Sequence, residues 1–219
     1  MSASPRLSPW AALPDGLTAA MFLLVWIHPF VFGALSVKTA MLTMLVEFFL
    51  IHATGFFTAM GGNARVPGSL RRTMIWVLCG FYVLMIGVFS FAFGEWWPLL
   101  AFAWLVVGKL AWIRRGDAGD DAMMWKMAAW AGSVAAYLFA VAMTAMLPLP
   151  RFGMTAEKVP LFGFGEEMSG AWVEEPHTVV AMGVLYFSLL CAAKLLAARW
   201  QSRRASGVGI RNVNTDKSG

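Results

Sequence analysis

TAMLTMLVEFFLIHATGFFTAM, Thr39 to Met60, carries a single formal charge, Glu47, near its middle. As a helix it is long enough to cross the roughly 30 Å hydrocarbon core of a bilayer. Comparable apolar runs extend from Leu17 to Leu35, Thr73 to Phe93, Pro98 to Ile113, Ala122 to Leu147 and Pro176 to Ala198. Turn residues separate them: Pro14-Asp15-Gly16 before the first, Gly61-Gly62-Asn63 after the second, Gly116-Asp117 after the fourth, and Pro148 with Pro150 after the fifth. The expected fold is all-α, a polytopic bundle of six transmembrane helices.

Composition agrees with that reading. Apolar residues make up 59% of the 219-residue chain and charged residues 13%, and mean hydropathy is +0.67. A water-soluble globule is nearer half apolar and a quarter charged, so that class is excluded. The two cysteines, Cys79 and Cys191, both lie in apolar runs and read as packing residues rather than a disulfide framework. Residues 1–200 then form one transmembrane domain with an outer loop at 148–175, and 201–219 form a polar tail expected to be disordered. The first apolar run is longer than a signal-peptide core and lacks a clean small-residue cleavage site, so it is read as a retained helix.

Six spans place Arg6, Arg65, Arg71, Arg72, Arg114, Arg115, Arg199, Arg203, Arg204, Arg211 and Lys217 on one side, with Lys38, Arg151 and Lys158 on the other. Because short basic loops stay inside, both termini are expected to be cytoplasmic, in a bacterial inner membrane. The net charge of +5 is thereby attributed to orientation, not to a nucleic-acid-binding face. Lys109, Lys126 and Lys194, inside helix ends, are close enough to the cytoplasmic side to snorkel. Trp96, Trp97 and Trp172 mark the outer boundary and Trp10, Trp112, Trp125 and Trp200 the inner one, while Trp26, Trp76, Trp104 and Trp130 are expected to pack.

An ionisable residue inside a span is a functional candidate, because an unpaired charge is costly there. At about 100° per residue, Thr39, Thr43, Thr54 and Thr58 fall within about 80° of Glu47, forming a polar stripe that excludes His52. Treating Leu17 to Leu35 as one continuous helix places His28 about 10 Å and Glu47 about 13 Å below the outer boundary, so the two are expected to touch. Tyr82, Tyr137 and Tyr186 sit at a similar depth and suggest a shared polar layer, since a buried phenol needs a partner. The candidate solute- or ion-binding residues are therefore Glu47, His28, Tyr82, Tyr137, Tyr186, Thr43 and Thr54. No catalytic or metal-binding residue is assigned.

Small residues at Ala128, Gly132, Ala136 and Ala140 recur at a spacing that permits close helix packing, expected here to be internal. Glu166, Glu167, Glu174, Glu175 and His177 give the outer loop an acidic character with no fixed metal-ligand spacing. The zinc-protease, serine-hydrolase, phosphate-loop and dinucleotide motifs are absent from the sequence. The leading expectation is binding or permeation of a proton, cation or small polar solute at a midplane site. The alternatives are a non-catalytic auxiliary or assembly subunit, and a haem-containing or other membrane-embedded enzyme. The lipid bilayer is the expected partner, with a membrane-protein partner or a homo-oligomer open; no nucleic acid is expected, and no cofactor is assigned.

Overall fold

The computed structural model describes residues 9–61, 67–103, 120–164 and 169–215. A 3-10 turn at Pro9–Ala12 enters α1 (Leu13–Ile27), followed by α2 (Ser36–Gly61), α3 (Gly68–Phe93), α4 (residues 97–103) and α5 (Asp120–Met146). A 3-10 segment at Ala156–Phe162 and the single turn α6 (Ala171–Glu174) then lead to α7 (Pro176–Thr215). The described residues contain no strand, and five helices are long and apolar enough to cross a membrane. Most of the expected fourth span lies outside the described residues, as do Arg6, Arg65, Trp104, Lys109, Trp112, Arg114, Arg115, Glu166, Glu167 and Lys217.

Local chemistry explains the helix boundaries. The ring of Pro29 disfavours helical backbone at His28, where α1 closes with His28 N–H on the Leu24 carbonyl. Residues 28–35 are turns, and α2 opens where the Ser36 hydroxyl donates to Gly33 O and accepts from Phe32 N–H. Gly94, at φ 66°, ends α3, with Glu95 N–H returning to Ser90 O. Pro176 starts α7, where its missing N–H has no intrahelical acceptor to lose. That helix runs to Thr215, past position 200, where the sequence reading ends its membrane domain.

Side-chain pairs set the packing directions. Asp15 meets Lys194, Gly16 faces Cys191, and Phe22 lies on Phe187 and Gly183, so α1 and α7 are antiparallel. Tyr137 reaches Met44 and Trp130 reaches Ile51, making α5 antiparallel to α2. Phe49 touches both Tyr82 and Phe89, and Lys38 pairs with Glu95 at 3.8 Å, which sets α3 beside α2. One end of the bundle, called upper below, therefore gathers the end of α1, the start of α2, the ends of α3 and α5, and the start of α7.

Two apolar cores share α2. The larger joins α1, α2, α5 and α7 around Phe22, Met41, Met44, Tyr137 and Tyr186; the smaller joins α2, α3 and α4 around Phe49, Cys79, Tyr82 and Phe102. Above α1, Trp26 Nε1–H donates to Pro150 O at 3.0 Å, and Phe162 packs on Phe30, so part of the outer loop folds onto the bundle.

Some packing differs from the sequence reading. Trp76, expected to be internal, is 62% exposed, whereas Trp26 and Trp130 pack against the larger core as expected. Among the described residues the small-residue pattern of α5 is buried only at its upper end. Ala140 is buried, but Ala128 and Gly132 face outward, and a Cβ at Gly132 would meet nothing within 4 Å. Four-residue spacing specifies a stripe but not which neighbour covers it.

The contact of Gly183 with the Phe22 ring gives a direct test. A Cβ at Gly183 would overlap the Phe22 ring. Gly183→Ala is expected to lower unfolding stability by about 1–3 kcal/mol, and by less in a Phe22→Leu background. Equal costs in the two backgrounds, measured in detergent, would contradict the α1–α7 packing.

Candidate functional site

Glu47 lies midway along α2, where α7 packs against it. The Tyr186 hydroxyl donates to Glu47 Oε1 at 2.7 Å. Tyr186 is 0% exposed, and its ring stands edge-on to Tyr137, with centroids 5.4 Å apart. Tyr137, 4% exposed, donates to the Met44 carbonyl at 3.1 Å, one helical turn above Glu47. These contacts join a carboxyl, two phenols and a backbone carbonyl across three helices. Phe48 packs on Tyr137 and Phe187 on Tyr186, bounding the cluster with apolar rings.

The expected His28–Glu47 contact is absent among the described hydrogen bonds and ion pairs. His28 is exposed at the end of α1, whereas Glu47 lies about 16 Å below the start of α2 at 1.5 Å per residue. The expected depth match requires residues 28–35 to be helical. Their turn conformation places His28 at the upper rim and removes the depth match.

The other candidates separate. Tyr82 is buried in the smaller core between Phe49 and Phe102, away from the pair formed by Tyr137 and Tyr186. Thr43 donates to the Thr39 carbonyl at 2.8 Å, a local bond along its own helix. Thr54 is half-buried in the lower half of α2. His52 likewise turns to its own helix, with Nδ1 2.7 Å from Phe48 O.

Asp15 and Lys194 form a second polar feature that the sequence reading does not assign to a site. The Lys194 ammonium contacts the Asp15 carboxylate at 2.5 Å, and Asp15 is largely buried. An acid in the first turn of α1 opposite a base low on α7 becomes a visible pairing once those helices are known to be antiparallel.

Two openings flank the cluster. A 250 Å³ crevice between α1 and α2 is lined by Ser36, Thr39 and Thr43 on its α2 side, and Thr43 is one turn above Glu47. A 450 Å³ cavity at the upper ends of α5 and α7 includes Val141 and Met182, each one turn above Tyr137 or Tyr186. Among the described residues no three His, Cys, Asp or Glu side chains gather in an arrangement that could hold a metal ion. Comparisons with protein-family models, curated proteins and solved structures find no match to this chain.

The site generates a coupling prediction. Tyr186→Phe is expected to destabilise the fold by about 1–3 kcal/mol, the cost of leaving a part-buried acceptor without its donor. In a double-mutant cycle, Tyr186→Phe and Glu47→Met should couple, whereas Tyr137→Phe and Glu47→Met should be nearly additive. Additivity in the first pair would remove the hydrogen bond as a stabilising contact.

Proposed function

We propose that this chain is a six-pass inner-membrane protein that binds or passes a proton or small cation at Glu47. The observation that carries this reading is the Glu47–Tyr186 hydrogen bond in the middle of an apolar helix. A carboxyl in that position can take up charge, and a phenol can hold it in either protonation state because its oxygen both donates and accepts. The crevice ending at Thr43 supports access from the upper end to within one turn of the carboxyl.

Helix polarity supports the sixth pass. Both α3 and α5 end at the upper end, so α5 starts at the lower end, while α4 starts at the upper one. The two described helices α4 and α5 therefore begin at opposite ends of the bundle. Six passes leave both termini at the lower end with Arg72, Arg199 and Arg203, against Lys38, Arg151 and Lys158 at the upper end. The basic-loop rule then makes the lower end cytoplasmic, in contact with the lipid headgroups there.

Two measurements check this reading. Cysteine labelling in intact cells should reach position 158 from outside and position 203 only after permeabilisation; outside labelling at both would overturn the topology. In reconstituted vesicles, Glu47→Gln should fold and abolish proton- or cation-dependent charge movement. Tyr186→Phe should reduce that movement by about two- to tenfold, the weight of one hydrogen bond. Unchanged charge movement in a folded Glu47→Gln protein would reject the proposal.

A further inference from the structure

The upper cavity has a chemistry separate from that of Glu47. Its walls come from the last turns of α5, the segment from Leu147 to Arg151, α6 and the first turns of α7. At 450 Å³ it lies within the size range of small-molecule sites. The carbonyl end of α5 and the amide end of α7 both border it, giving one wall a negative and another a positive partial charge.

Charged side chains add a pole of each sign, opposite to the backbone end beside it: Arg151 follows the carbonyl end of α5 and Glu175 precedes the amide end of α7. Arg151 Nη2 donates to Glu175 Oε1 at 3.2 Å, and both residues line the cavity. The pair is part-exposed, with side-chain exposures of 40% and 54%. This one contact leaves further guanidinium donors and the second carboxylate oxygen to face a ligand. His177 also lines the cavity and is only 5% exposed, yet its Nδ1 is buried without a hydrogen-bond partner among the described residues. A buried polar atom in that state calls for a partner.

These features select among ligand classes. A simple anion would face Glu175, a simple cation would face Arg151, and a purely apolar molecule would leave both charged poles without a ligand contact. A molecule carrying both charges can pair its carboxylate with Arg151 and its ammonium with Glu175. The apolar wall formed by Val141, Ala145, Val179 and Met182 can receive an aliphatic side chain. We propose that the upper cavity, lined by Arg151, Glu175 and His177, binds a small zwitterion of the α-amino-acid type bearing an apolar side chain. This site rests on different residues from the Glu47 reading and has an equilibrium-binding readout, so either proposal can fail without the other.

The test is calorimetric titration of the full chain in lipid nanodiscs. Leucine, valine and methionine are each compared with the corresponding amide, which lacks the carboxylate, and the deaminated acid, which lacks the ammonium. The zwitterions should bind, with either single-charge analogue at least about tenfold weaker, as expected for losing a charge-assisted hydrogen bond. In Arg151→Gln the amide should approach the zwitterion in affinity; in Glu175→Gln the deaminated acid should do so. Both side chains are part-exposed, and the converging affinities identify loss of one pole rather than general unfolding. No zwitterion binding up to about 10 mM, corresponding to very weak affinity, would overturn the proposal. Single-charge analogues binding as tightly as the zwitterions, or discrimination retained in both variants, would also overturn it.

Discussion

A carboxyl set halfway along an apolar helix and bounded by apolar side chains needs a donor from within the protein, because those neighbours offer none. In this chain the donor is the Tyr186 hydroxyl, and meeting it fixes α2 against α7 in both height and rotation. Tyr137 reinforces the arrangement by bonding to the backbone of α2 while packing on Tyr186. Trp130 adds a bond to Ile51 O two turns lower, with its ring over Gly55. The positions of α2, α5 and α7 are thus tied by directional polar contacts as well as by apolar packing, and α1 joins them through its close approach to α7.

The ion pairs among the described residues lie toward the ends of the bundle. Lys38–Glu95 and Arg151–Glu175 are at the upper end, and Asp15–Lys194 is low on α1 and α7. Exposed pairs such as Arg151–Glu175 contribute little to stability, about 0–1 kcal/mol in water. Their structural value is better sought in placing charge beside the upper cavity. Largely buried Asp15 differs, because removing Lys194 would leave a desolvated carboxylate without its counterion.

Hydropathy made the helical fold legible, because uninterrupted apolar length is a strong signal and Pro29, Gly94 and Pro176 punctuate it. Depth along continuous helices was legible as well: Tyr137 and Tyr186 meet at the level of Glu47. Two kinds of information were missing. Whether residues 28–35 are helical depends on the turn imposed around Pro29, and this shifts His28 from about 10 Å below the outer boundary to the rim. Depth also carries no azimuth: Tyr82 belongs to a helix packed on another face of α2 and enters the smaller core. The Asp15–Lys194 pair required the α1–α7 partnership, which adjacency in sequence could not indicate.

The central claim is that Glu47 exchanges charge rather than serving only as a hydrogen-bond acceptor. Infrared difference spectroscopy of the reconstituted protein tests that property at the carboxyl itself. The account predicts a reversible, pH-dependent carboxyl carbonyl band that shifts on hydrogen–deuterium exchange, changes frequency in Tyr186→Phe and disappears in Glu47→Gln. A spectrum with no pH-dependent band removed by Glu47→Gln would contradict it, leaving Glu47 as a structural anchor between α2 and α7.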